Sequence, residues 1–439
     1  MMAPGADEES FVMKKVSSTA IAAALLVGLG SLSVAAPAFA KKEQASTAPV
    51  LSAAVRTPAL AAQTELGLPT PDLAKVEASV AAAEAAAKTD DERYVIATLR
   101  LQLADKQIKA MPAAQQSDAP LAKPLDDLIA NPKTPRDKLP LFYNYRASVA
   151  YNAKQYPLAA ASWSKARELG YTDEDLLLNI ARAKVESGDV AGGVASLQEA
   201  VKAEEAAGRK APEPWYRYAI SRLFKAGDMA GTDAWTRAWL TAYGTKENWR
   251  GAIYTFGFNG AGAKRLTDRQ RVDLYRLMKA SGSLAGAREW LDYAAYSKRI
   301  GLPNEAQSVI TEGRTAKVIL PTDAEADQVL RDAKAAIAAD RPLATQEKLA
   351  AAAAKGDLAS QAGDAYLGAG NYAKAIEMYK LAISKGQIDL DPVNLHLGIA
   401  LALSGNKADA QTALAAVKTS PNSDIAKLWT TWLITPPAA

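Results

Sequence analysis

The stretch at residues 363–382, GDAYLGAGNYAKAIEMYKLA, constrains the fold more than any other. Gly363 is small enough to let a neighbouring helix come close, and Tyr366, three residues on, is large enough to fill the space between helices. Gly370 and Asn371 both tolerate the left-handed backbone that ends a helix. Tyr372, Ala375, Tyr379 and Ala382 then share one face of a second helix. The stretch therefore reads as helix, tight turn, helix, with small residues where helices touch and large ones between.

The unit recurs. Gly398, Leu401, Gly405, Ala410, Leu414 and Val417 repeat it 35 residues later. Upstream, Ala147, Ala150, Tyr156, Ala159, Trp163 and Ala166 keep the register, and Ala181, Gly188, Gly193, Leu197 and Ala200 follow 34 residues on. Looser copies run through Ile220, Leu223, Gly227, Thr232 and Thr236, and through Trp290, Tyr293, Ala294, Gly301, Ala306, Ile310 and Gly313. Regions 247–268 and 322–357 fit the pattern least. Alanine, the best helix former, is abundant, and no long alternating strand pattern appears.

The order small, aromatic, Gly, aromatic, Ala, aromatic, Ala resembles the tetratricopeptide repeat, whose period is 34 residues. The resemblance covers residues 141–420. It implies an all-α, right-handed superhelical solenoid of helix-turn-helix hairpins, of the secreted, alanine-rich type seen in Gram-negative bacteria. It also implies a groove, lined by the first helix of each hairpin, that receives a peptide or partner helix. By register that lining would be Asn144, Ser148, Tyr151 and Asn152, then Arg182 and Glu186, then Arg217, Ser221, Phe224 and Lys225. Some members hold a C-terminal carboxylate with Lys, Arg and Asn. Asn144 and Asn179 sit near such places here, but the cations do not.

The N-terminus reads as a targeting segment. Met13-Lys14-Lys15 is a positive start, residues 20–34 are apolar, and Ala38-Phe39-Ala40 is a cleavage signal. This gives a signal peptide at 1–40, with Met13 as the true start and Lys41 as the mature one. No cysteine is present, which removes thiol chemistry and a lipid-modified anchor. The expected location is the periplasm, with no membrane span and no lipid anchor. Net charge is +4, and without residues 1–40 it is 50 basic against 45 acidic, or +5. That is too mild to argue for nucleic acid.

Along the chain, 41–67 reads as a flexible leader and 68–110 as a helical hairpin, opened by Thr70-Pro71-Asp72 and by a capping box at Thr89-Glu92. Six prolines in 111–140 read as a linker with at most a short helix near 125–130. Then come an array at 141–243 with a helix start at Thr172, divergent repeats at 244–342, an array at 343–420, and a capping helix and tail at 421–439. Further capping boxes are expected at Thr267-Gln270 and Thr322-Glu325. Trp429 and Trp432 would cover the open end of the stack.

Candidate chemistry is sparse. His396 is the one histidine and reads as a partly exposed helix residue. Ser162-Trp163-Ser164-Lys165 has the spacing of a serine acyl enzyme, but Trp163 holds a core position. Residues 257–264 superficially suggest a phosphate loop, yet they lack the Gly-Lys-Ser/Thr order and read as a flexible turn. Lys264, Arg265, Arg269, Arg271, Arg276 and Lys279 read as a solvated basic face. The aromatics Trp215, Tyr216, Tyr218, Phe224, Trp235, Trp239, Tyr243, Trp249, Tyr254, Phe256 and Phe258 read mainly as core. The sequence thus predicts a scaffold for protein or peptide partners, without cofactor or metal. Its alternative is an accessory protein binding an envelope glycan through the aromatic and basic middle block.

Overall fold

A computed structural model describes residues 48–173, 175–259 and 265–435. These residues form twenty-one α-helices and no strand, so the all-α repeat fold expected from the sequence is the fold observed. The expected signal peptide and residues 260–264 lie outside the described residues. The chain divides into two compact units at Gly227/Asp228, inside the array expected to run to residue 243.

One turn geometry recurs. Gly188, Gly227, Gly301, Gly370 and Gly405 have φ of 95, 77, 81, 75 and 85°, and Lys154 takes the same place at 59° in the copy before Tyr156. Only glycine enters this region without strain. The next residue starts the following helix. Asp189, Asp228, Asn371 and Asn406 accept from the backbone N–H groups of Gly192, Gly231, Lys374 and Asp409. Gly370 therefore ends one helix, whereas Asn371, expected to end it too, caps the next.

The first unit contains α1 (Ala53–Leu66), α2 (Leu73–Ala86), α3 (Asp90–Ala110), α4 (Ala122–Ala130), α5 (Leu139–Asn152), α6 (Tyr156–Glu168), α7 (Leu176–Glu186), α8 (Val190–Ala206) and α9 (Glu213–Lys225). Helix α1 corrects the flexible leader. Leu51, Val55, Ala59, Ala62 and Leu66 are buried at helical spacing, a period hidden among small residues. Glu92, inside the expected Thr89 capping box, ties α1 down. Its Oε1 accepts from the Ser52 hydroxyl and N–H at 2.6 and 3.1 Å, and its Oε2 from the N–H of Lys88 and Thr89 at 2.8 and 3.0 Å. These bonds, the Ser52 hydroxyl first, hold its pKa down at about 2.

Helix α2 takes α1 as its hairpin partner, and α3 packs on α4. Residues 111–140 are therefore not a linker: Leu121, Leu125 and Leu128 are buried, and α4 lies against both α3 and α5. Two helix starts also shift. Asp72, two residues after Thr70, caps α2 through the N–H groups of Ala74 and Lys75, and α7 begins at Leu176 rather than near Thr172.

The second unit contains α10 (Met229–Tyr243), α11 (Lys246–Ile253), a π-helical turn (Tyr254–Phe258), α12 (Asp268–Ala280), α13 (Ala287–Arg299), α14 (Pro303–Thr315), α15 (Ala324–Ala339), α16 (Leu343–Ala352), α17 (Asp357–Gly368), α18 (Tyr372–Lys385), α19 (Leu390–Leu403), α20 (Lys407–Ala415) and α21 (Asn422–Ile434). One core runs from Leu240 to Leu433, across the expected boundaries after residues 243, 342 and 420. The Thr267–Gln270 capping box is present, whereas Asp323, not Thr322, caps α15.

Helix α21 packs on α10 and α12 as well as on α19 and α20. Trp429 is fully buried, and Trp432 meets it edge-on with centroids 5.6 Å apart. Gln270 on α12 donates to Asn422 Oδ1 at 2.7 Å. In an open stack each repeat would meet only its neighbours. Here the array within the second unit closes on itself, first helix to last.

The repeat positions show how the hairpins pack. Ala147, Ala159, Trp163, Ala181, Ala375, Tyr379, Ala382 and Ala410 are fully buried, Tyr366 is buried, and Tyr156 and Tyr372 are half-buried. A Cβ on Gly363 would stand 2.6 Å from the Tyr379 ring, and one on Gly398 2.6 Å from Leu414. Both glycines let facing helices touch.

Candidate functional site

In the first unit α7 places Asn179, Arg182 and Glu186 along one face, and α9 meets it with Tyr218 and Arg222. The guanidinium carbons of Arg182 and Arg222 stand 5.6 and 5.0 Å from the centroid of the Tyr218 ring. Arg222 pairs with Glu186 at 3.4 Å. Tyr151 on α5 feels the same charges: burial raises its hydroxyl pKa first, then Glu186, while Arg182 and Arg222 oppose. Burial likewise pushes Tyr218 up to about 12. Among the described residues, the buried Tyr218 Oη and Asn179 Oδ1 have no hydrogen-bond partner.

Three of the ten expected lining residues, Tyr151, Arg182 and Glu186, belong to this cluster. Asn144 is engaged internally, accepting from Trp163 Nε1 at 3.0 Å and donating to Tyr171 Oη at 3.1 Å. Ser148 donates to the Asn144 carbonyl at 3.1 Å, and Asn152 donates to Asp118 Oδ2 at 2.8 Å. On α9, Tyr218 and Arg222 meet α7. Arg217 and Lys225 are exposed, Phe224 is 47% exposed and Ser221 is half-buried. In the sequence, Tyr218 reads with the core aromatics, and nothing there singles out Arg222. Their signal was the buried set Trp215, Tyr216, Ala219 and Leu223, which fixes the rotation of α9 and leaves Tyr218 and Arg222 on its flank.

The second unit holds a different cluster, which corrects the reading of His396. That residue is 2% exposed. Its Nδ1 lies 2.7 Å from Asp364 Oδ1 on α17, and its Nε2 lies 3.3 Å from Asp273 Oδ2 on α12. Asp364 also accepts from Tyr379 Oη at 2.8 Å and pairs with Arg269. Asp273 accepts from Arg276 Nη1 at 2.8 Å. Arg276 grips Glu305 on α14 with Nε and Nη2 at 2.8 and 2.6 Å, and Tyr293 donates to the same carboxylate at 2.6 Å. Three carboxylates thus face two guanidiniums and one imidazole. Burial opposes the imidazolium, but Asp273 and Asp364 outweigh it and raise the His396 pKa to about 9. The imidazole is therefore charged at neutral pH, and the network balances.

This network also corrects the solvated basic face. Arg276 is buried, Arg269 pairs with Asp364, Arg271 with Asp268 and Lys279 with Glu312. Arg265 precedes α12 and lies over the Phe256 ring at 5.7 Å. Gly257, expected in a flexible turn, is buried in the π-helical turn, where a Cβ would press on Leu274. Ser162 is buried beside Trp163, and Lys165 pairs with Glu168 at 2.8 Å. Of the aromatic set, Trp215, Tyr216, Trp235 and Trp249 are buried, and the rest apart from Phe224 are half-buried. Among the described residues no group of three or more His, Asp or Glu is placed to hold a metal, and no helix is long and apolar enough to cross a membrane.

No family model matches the chain, and no curated protein matches it. Among solved structures, one described as a complex of the TPR2AB domain of yeast Sti1 with pHSP90 is 16% identical, with a TM-score of 0.24, covering 67% of this chain and 99% of that one. A structure of Naa15/Naa10 bound to HypK-THB is 14% identical, with a TM-score of 0.27, covering 83% of this chain and 64% of that one. At these scores neither likeness carries the argument further.

Proposed function

We propose that the chain is a non-catalytic periplasmic scaffold that binds a protein or peptide partner across α5, α7 and α9. One observation carries the reading: the guanidiniums of Arg182 and Arg222 both lie over the half-buried Tyr218 ring, whose buried hydroxyl has no hydrogen-bond partner among the described residues. A buried hydroxyl without a partner costs about 1–3 kcal/mol, which an extended peptide carbonyl would relieve. The flanking guanidiniums suit a carboxylate on the same peptide. Arg182→Ala with Arg222→Ala should weaken capture of a partner from periplasmic extract about tenfold, or ~1.4 kcal/mol. Lys165→Ala, on the exposed side of α6, should leave capture unchanged. Equal capture by the double arginine variant would sink this placement.

Location rests on the targeting segment. N-terminal sequencing of the native protein should read from Lys41. A protein that retains residues 13–40 and fractionates with the cytoplasm would refute export.

A further inference from the structure

The second unit has a cleft of about 360 Å3 where its first and last helices meet, within the size range of small-molecule sites. Two lysines line it, Lys246 at the start of α11 and Lys407 at the start of α20, and no acidic residue does among the described residues. The Lys246 stem lies across the α12–α13 turn, where a Cβ on Gly282 would come within 3.2 Å of its Cε. The apolar wall includes the half-buried Trp432 and the buried Trp249. The hydroxyl-bearing Ser281 and Thr435 line it too.

Two cations with no lining acid concentrate an anion in a cleft of low-dielectric walls. A partly exposed indole offers a flat face to a ring. The hydroxyls of Ser281 and Thr435 donate to the carbonyls of Met278 and Thr431 at 3.2 and 2.7 Å, so their oxygens face a ligand as acceptors, which suits the hydroxyl groups of a polyhydroxylated ring better than an apolar carboxylate. The geometry points to a uronate-type sugar, a pyranose ring bearing a carboxylate, with its ring against Trp432 and its carboxylate held by Lys246 and Lys407. The cleft belongs to the second unit, so it stands or falls independently of the peptide face in the first.

The test is calorimetric titration of the full chain with trigalacturonate, alongside neutral cellotriose and acetate. Trigalacturonate should bind saturably and more weakly at high salt, whereas cellotriose and acetate should not compete with it. Lys246→Ala with Lys407→Ala should weaken binding at least about tenfold. Both lysines are exposed, so the variant should keep its fold, which its circular dichroism melt checks. Lys246→Arg with Lys407→Arg should retain binding, and Arg182→Ala with Arg222→Ala should not affect it. Three results would overturn the assignment: no saturable binding of trigalacturonate, equal binding of cellotriose or acetate, or unchanged binding by the double alanine variant.

Discussion

Arg276→Ala is expected to destabilise the second unit by about 3–5 kcal/mol, the cost of breaking one side of a buried ion pair. Arg276 is 5% exposed and holds Asp273 and Glu305 at once. Its removal strands two buried carboxylates, and Tyr293 and His396 cannot neutralise both. The loss should be far smaller when the charges go together. Arg276→Met combined with Glu305→Leu leaves one fewer orphaned charge and fills similar volume, so the double variant should be more stable than Arg276→Ala alone. Hydrogen exchange of the amides in α12 and α14 measures this, because it separates the second unit from the first where a single global melt would not. A loss below about 1 kcal/mol would mean that water reaches Asp273 and Glu305 and compensates them.

The hairpins were legible because their signals are local. A left-handed turn residue, the Asn or Asp after it, and small residues facing large ones all sit within one unit, as at Gly370, Asn371, Gly363 and Tyr379. The polar core was not legible because its parts come from different units. Asp273, Glu305, Asp364 and His396 span 124 residues of sequence, and only the packing of α12, α14, α17 and α19 brings them into one interior. A local hint did exist. Residues 395–402 are buried without interruption, and LHLGIALA is apolar on every helical face except at His396. A helix apolar all round lies inside, so a histidine within it must find partners there. The Arg and Asp residues of α12 hid for the opposite reason: alternating charges look solvated until residues 272–278 prove to be buried throughout. In the first unit, helix α1 was obscured by alanines, whose burial leaves almost no hydropathy contrast.

His396 makes the stability of the second unit fall as pH rises. Its pKa goes from an ordinary 6.5 to about 9 in the folded chain. The unfolded chain has lost the proton above about 6.5, while the folded chain keeps it until about 9. The contribution is therefore complete below about 6.5, declines by ~1.4 kcal/mol per pH unit across the window, and is gone above about 9, about 3 kcal/mol in all. Of the groups facing the imidazole, Asp364 is held well below the usual carboxylate range and Tyr379 is pushed well above 10, so neither titrates there. Hydrogen exchange of the amides in α12, α17 and α19 between pH 6.5 and 9, corrected for the intrinsic pH dependence of exchange, should show this slope in the wild type. His396→Gln should be less stable at pH 6.5 and nearly flat, since an amide can bond one carboxylate but carries no charge to balance Asp273 and Asp364. The chain has one histidine, so its imidazole resonance can be followed by NMR without assignment, and its midpoint should lie near 9. A midpoint near 6.5, or equal slopes in the two proteins, would break the argument. A midpoint near 9 would mean that at neutral pH the imidazole has no lone pair to give to a metal or to a proton on a substrate, so the one residue most often suspected of chemistry serves here to balance charge.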